Sequence, residues 1–147
     1  MEISPISDAE VAEVVALWER CGLTRPWNDP HADIALARSK PTSDVLVGRI
    51  DGLIAASAMV GTDGHRGWVY YLAVDPERQR QGLGRRMMEA CETWAREHGV
   101  PKIMLLVRGS NTQTIGFYRA LGYLLEDTVL LGKRFDGKVW SVSADQG

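Results

Sequence analysis

The residues best suited to chemistry begin with a short polar run, Gln79-Arg80-Gln81-Gly82-Leu83-Gly84, flanked by Arg78, Arg85 and Arg86. The run follows an apolar stretch closed by Asp75-Pro76 and opens a segment of helical spacing, so it reads as strand, turn, helix. The first amides of a helix lack intrahelical acceptors and carry partial positive charge, which suits a phosphate. Gly82 and Gly84 remove side chains that would hold a diphosphate off the backbone, and the arginines add charge. A tight basic helix start with no ligand would use the same residue types. The G-K-[ST] ending of a P-loop is missing, and so is the three-glycine dinucleotide fingerprint. If a ligand binds here, it carries phosphate in another form.

Two further residues stand out downstream. Asn111 precedes a helical pattern and suits its N-cap. Tyr118 shares that helix with Ile115 and Leu121, where packing alone would account for an aromatic; its hydroxyl can also donate a proton while neutral at ordinary pH.

Around these residues the pattern predicts a mixed α/β domain. A first strand fits Met1 to Ile6, and Ser7-Asp8-Ala9-Glu10 reads as a capping box. Behind it Val11, Val14, Val15, Trp18 and Cys21 recur at helical spacing up to Gly22. Pro26 and Pro30 interrupt the chain, and a second helix runs from Asp29 or Pro30 towards Ser39. Strands are expected over Asp44 to Ile50 and Leu53 to Val60, joined by the hairpin signal Asp51-Gly52, and then over Trp68 to Val74. The helix after the glycine turn has Leu83, Met87, Ala90, Cys91, Trp94 and Ala95 on one face and stops at Gly99 and Pro101. A strand over Lys102 to Val107, a helix over Asn111 to Leu121, and strands around Tyr123 to Leu125 and Val129 to Leu131 complete the set. The early hairpin makes much of the sheet antiparallel.

Composition narrows the classes. The 147 residues, 45% hydrophobic and 24% charged, suit one soluble domain spanning residues 1–147. A net charge of -2 argues against a nucleic-acid binder working through a broad basic surface. The two cysteines, Cys21 and Cys91, form neither a disulfide framework nor a metal cluster and read as buried core thiols, so no metal is expected. No apolar run approaches a membrane span and no signal-peptide pattern opens the chain, so the expected address is the cytoplasm.

The run from Gln79 to Gly84 resembles motif A of the GNAT acetyltransferases, [QR]-x-x-G-x-[GA], with Gln79, Gly82 and Gly84 on its fixed positions. Asn111 to Tyr123 is similar to the N-x-x-[AS]-x-x-x-Y-x-x-x-G-[FY] signature of the same family, departing only at Thr114. The order of elements agrees along nearly the whole chain. Residues Leu17 to Cys21, Arg25 to Pro30 and Asp63 to Gly67 also resemble the bacterial acetyltransferase group YpeA.

This resemblance implies an acyl-CoA N-acyltransferase fold, a mostly antiparallel sheet flanked by about four helices, with acetyl-CoA as co-substrate and an amine as acceptor. It implies that the backbone of Leu72, Ala73 and Val74 holds the pantetheine arm. The Leu72 N–H would polarise the thioester carbonyl. Gln79, Arg80, Gln81, Gly82, Leu83, Gly84 and Arg85 would cradle the pyrophosphate, Asn111 would contact the cofactor arm, and Tyr118 would protonate the departing thiolate. Members resembling the ribosomal-protein acetyltransferase RimI carry a glutamate base at the position of Leu106, so a base of that kind is not offered here. Tyr70, Asp29, Asp63, His65 or a water relay remain as ways to deprotonate the amine.

Trp27 suits either the acceptor wall or a plug over the helix core. The run Val129-Leu130-Leu131 suits a central strand of one copy or the pairing of two in a homodimer. Two other readings share the phosphate turn: a module that binds acetyl-CoA without turnover, and a nucleotide-binding signalling domain.

Overall fold

The computed structural model describes residues 1–139, which fall into two compact units, residues 1–105 and residues 106–139. The first unit is built on a five-stranded sheet in the order β1 (Glu2–Pro5), β2 (Ser43–Ile50), β3 (Leu53–Thr62), β4 (Gly67–Val74) and β5 (Ile103–Leu105). The first four strands pair antiparallel, and β5 joins β4 in parallel. The β2–β3 hairpin turns on Asp51 (φ 52°) and Gly52 (φ 78°), the paired left-handed residues of a type I′ turn. Strand β5 is shorter than its apolar run suggests, and its ladder with β4 ends at Val69 and Leu105.

Three helices complete the unit: α1 (Val11–Arg20), α2 (Pro30–Arg38) and α3 (Leu83–Glu97). The capping box of Ser7 and Glu10 is present, and it starts a short 3-10 turn that leads into α1. Val14, Val15, Leu17 and Trp18 of α1 and Ile34 and Ala37 of α2 are buried with Val45, Val47, Ile54 and Ala73 from one sheet face. Residues alternate across a strand, so Leu46, Ala58, Val60 and Val69 belong to the opposite face. There α3 packs through Leu83, Met87, Met88, Cys91 and Ala95. Trp94 lies at the edge of that stripe and stacks on His98, at 3.7 Å between ring centroids.

The second unit contains α4 (Thr112–Ala120), capped by the Asn111 carboxamide, which accepts from the Thr114 amide at 3.2 Å. The strands expected around Tyr123 to Leu125 and Val129 to Leu131 are not formed among the described residues. A strand exists only where a neighbour completes its ladder, and here Leu124, Leu125, Val129, Leu130 and Leu131 all lie exposed.

Candidate functional site

Strand β4 changes character halfway along. Tyr70 stands opposite Met59 and Ala73 opposite Ser57, so Tyr71 and Leu72 share the place across from Ala58. This is a β-bulge, with Tyr71 in the left-handed region at φ 55°. Such a conformation costs about 1–3 kcal/mol in a residue other than glycine and persists only where its surroundings enforce it. The enforcing contacts are specific. The Tyr71 ring stacks on Trp18 at 3.9 Å with 3° between planes, and its hydroxyl donates to Asp33 Oδ2 at 2.7 Å. Trp18 is fully buried and its indole N–H donates to the buried Ser57 hydroxyl at 2.8 Å. Burial first, then the hydrogen bond and charge of Asp33, raise the Tyr71 pKa and keep its hydroxyl a donor.

The bulge lies past the end of the β4–β5 ladder, so residues 70–74 have no β5 partner on that edge. Leu72 and Val74 are half-buried there, and Ala73 is buried. The Cys21 thiol donates to the Val74 carbonyl at 3.2 Å, and Cys21 is half-buried rather than a sealed core residue. Burial raises the pKa of both thiols, that of Cys91 to about 12, so neither is a ready nucleophile.

Beyond Val74 the chain makes a 3-10 turn over Pro76–Arg78, capped by Asp75, and enters the glycine turn. Arg80 (φ 64°) and Gly82 (φ 75°) both take left-handed conformations, and Gly82 is the N-cap of α3. A Cβ at Gly82 would meet no protein atom within 4 Å, so glycine is required there for its backbone angle and not by crowding from the fold. Unlike α2 and α4, α3 has no side-chain cap, and like α4 it carries no acidic residue in its first turn. Its leading amides therefore have no acceptor from the N-cap side chain; Arg80 and Arg85 beside them are exposed, while Arg86 donates to the Met1 carbonyl at 2.7 Å. An anion is the natural partner of such a helix end.

Leu72, Ala73, Val74 and the run from Gln79 to Arg85 thus belong to one continuous strand–turn–helix of the first unit, with Gln79, Gln81 and Gly82 exposed and Leu83 buried. Asn111 and Tyr118 belong to the second. Tyr118 is 9% exposed, with edge-on contacts to Phe117 at 5.0 Å and Tyr123 at 5.7 Å.

The four side chains considered as bases occupy different settings. Asp29 caps α2, accepting from the Ala32 amide at 3.1 Å. Asp63 organises its own turn, accepting from the amides of His65 and Arg66, each at 2.8 Å, and from the Trp68 indole at 3.1 Å. Those bonds hold its carboxyl at about 2, too acidic for it to take a proton readily near neutrality. His65 is exposed in that turn. Tyr70 faces outward on β4, 45% exposed, and burial of the rest of its side chain raises its pKa. Sequence patterning missed Asp33 and Trp18 as neighbours of this strand, because no local signal announces a bulge at Tyr71. Among the described residues, no group of three His, Cys, Asp or Glu side chains is placed to hold a metal ion, and no helix is long and apolar enough to cross a membrane.

Comparison with known proteins identifies the family of the chain. The acetyltransferase (GNAT) family profile matches residues 11–123. An acetyltransferase of Yersinia enterocolitica serotype O:8 / biotype 1B is 40% identical over 134 residues, covering 91% of this chain and 95% of its own. Among solved structures, AAC(6')-Iy in complex with the bisubstrate analogue CoA-S-monomethyl-acetylneamine superposes with a TM-score of 0.77 at 16% identity, covering 90% of this chain and 97% of that one. The ribosomal-protein-S18-alanine N-acetyltransferase of Escherichia coli superposes with a TM-score of 0.70 at 26% identity, covering 82% and 76%. The chain therefore belongs to the GNAT acetyltransferase family and is an acetyl-CoA-dependent N-acetyltransferase.

Proposed function

We propose that residues 1–147 form a single GNAT domain that moves the acetyl group of acetyl-CoA directly onto the amine of a small molecule or a protein, with both substrates bound at once. The observation that carries this reading is the uncapped, glycine-led start of α3, reached from the bulged end of β4 through one 3-10 turn. One continuous piece of chain then offers amides to a diphosphate at one end and to a thioester at the other. The family profile spans residues of both units, which supports a single domain. A bisubstrate analogue joins coenzyme A and amine in one molecule, so the fold seen in AAC(6')-Iy can hold both together.

In this reading the amides of Gly82, Leu83, Gly84 and Arg85, with Gln79, Arg80 and Gln81, hold the pyrophosphate. The backbone of Leu72, Ala73 and Val74 and the Asn111 side chain hold the pantetheine arm. The amine nitrogen attacks the thioester carbon, and the Leu72 N–H donates to the oxygen as negative charge develops. The C–S bond then breaks, and the Tyr118 hydroxyl gives its proton to the departing thiolate. The proton lost by the amine passes to water, directly or through a relay of waters. Exposed Val129, Leu130 and Leu131 favour a homodimer that covers them, and sedimentation as a monomer at micromolar concentration would remove that part.

The test is thiol release from acetyl-CoA with amines, polyamines, amino acids and peptides offered in turn. Tyr118→Phe lowers kcat by about 100-fold with a working acceptor. An unchanged rate would reassign the acid. Tight binding of acetyl-CoA with no acceptor consumed would favour a sensor or scaffold without turnover.

A further inference from the structure

The bulge in β4 is held from outside the strand, by residues that neither cradle motif contains. Tyr71 is a bulky aromatic at φ 55°, a conformation an L-residue rarely adopts without compensation. Its ring lies parallel on Trp18 of α1, its hydroxyl is tied to Asp33 of α2, and Trp18 is fixed in turn by Ser57 of β3. Side chains from three other elements therefore converge, directly or through Trp18, on the one residue that precedes Leu72. Rotating Tyr71 out of the left-handed region would undo the stack and the hydrogen bond together, and would swing the peptide that carries the Leu72 N–H.

We infer that Tyr71, clamped by Trp18 and Asp33, is a positioning residue for acetyl transfer: it fixes the direction of the Leu72 N–H towards the thioester oxygen. The inference rests on the proposed role of Leu72. Tyr71 and Asp33 touch neither the thioester nor the diphosphate in this scheme; they act through the backbone. The donors that stabilise a developing oxyanion must be aimed before the reaction, so slack at this peptide appears in kcat. Ground-state binding of acetyl-CoA, carried largely by the glycine turn, changes little.

The test pairs a ligand-free measurement with kinetics. In the wild-type protein, ¹⁵N relaxation dispersion at residues 71–73 is expected to be flat. In Tyr71→Phe and Asp33→Ala it shows exchange on the μs–ms scale, because the hydrogen bond between them is gone. The same variants lower kcat about 10-fold while the KM for acetyl-CoA stays within about two-fold. Asp33→Asn retains an acceptor for the Tyr71 hydroxyl and restores both readouts. The double variant, Tyr71→Phe with Asp33→Ala, is no slower than either single one, since both remove one bond.

Flat dispersion in the variants overturns the clamp. Exchange without loss of kcat overturns its role in positioning and leaves a structural contact. If the wild-type protein releases no thiol with any acceptor, the transferase mechanism falls, and dispersion confined to the variants would mark the clamp as a feature of the fold alone.

Discussion

Two stretches of backbone between residues 70 and 84 leave ordinary geometry, and they are held by opposite means. At Tyr71 the left-handed angle is enforced by Trp18, Asp33 and Ser57, side chains from three other elements packed inside the first unit. At Arg80 and Gly82 it is produced by the local chain, on the surface, with no side-chain cap on the helix that follows. In the proposed mechanism the difference fits what each end would do. A thioester carbonyl needs one donor aimed to a fraction of an ångström, whereas a diphosphate accepts several amides and a diffuse positive field. Preorganisation by packing would serve the first, and glycine with exposed arginines the second.

The substitution expected to separate the two ends most widely is Gly82→Val. A β-branched residue at φ 75° strains the turn and thrusts methyl groups into the space where the diphosphate would lie. Calorimetry should show coenzyme A affinity falling about 100-fold, equal to about 2.7 kcal/mol. Turnover of acetyl-pantetheine, which lacks the diphosphate, should be nearly unaffected. Equal loss with both donors would mean that the turn also shapes the thioester end, and the contrast would collapse.

Trp18→Phe attacks the other side. The ring still covers Tyr71, but the buried Ser57 hydroxyl loses the indole donor at 2.8 Å. An unsatisfied buried hydroxyl costs about 1–3 kcal/mol, visible as a lower urea midpoint at unchanged m-value. The kcat should fall with it while coenzyme A affinity holds. A fall in affinity instead would show the bulge and the turn to be one cooperative piece.

How far each stretch could be read in advance follows from the same contrast. Gln79, Gly82 and Gly84 lie within one turn of chain, and their types are dictated by local geometry, so spacing alone displays them. The Asp51-Gly52 hairpin and the Asn111 cap were legible for the same reason. Tyr71 owes its conformation to residues 38 and 53 positions away, and nothing in Tyr70-Tyr71-Leu72 marks where the ladder slips. Leu130 and Leu131 failed in the reverse sense. Their apolar, extended character is plain, but a strand also needs a neighbour, which composition does not supply. Tyr118 was visible as a chemical type, and its burial beside Phe117 and Tyr123 came only with the fold.

A smaller effect is expected at Arg80. Glycine fits φ 64° at least as well as arginine, so Arg80→Gly keeps the backbone cradle and removes only the charge. Affinity for coenzyme A should drop several-fold in dilute buffer, and the gap should close at about 0.5 M salt, where the field of an exposed charge is screened within a few ångströms. A gap that persists at high salt would assign the guanidinium a direct contact.

The weakest expected influence on either stretch comes from Glu10, which makes it the control. Hydrogen bonds from Arg49, one of them at 2.6 Å, hold its carboxyl at about 2 against the opposing effect of burial, with the Ser7 amide helping at 2.9 Å. A carboxyl depressed from an unfolded value near 4.5 stabilises the fold fully above that pH. The contribution is then lost as pH falls towards 2. Glu10→Gln should lower Tm by about 4 °C at pH 7, and the difference from wild type should shrink steadily below pH 4.5. At pH 7 its kcat and its coenzyme A affinity should both match the wild type, because the pair ties β2 to the start of α1 and touches neither Tyr71 nor Gly82. A change in kcat alone would mean that the seat of α1, and with it Trp18, transmits strain to the bulge.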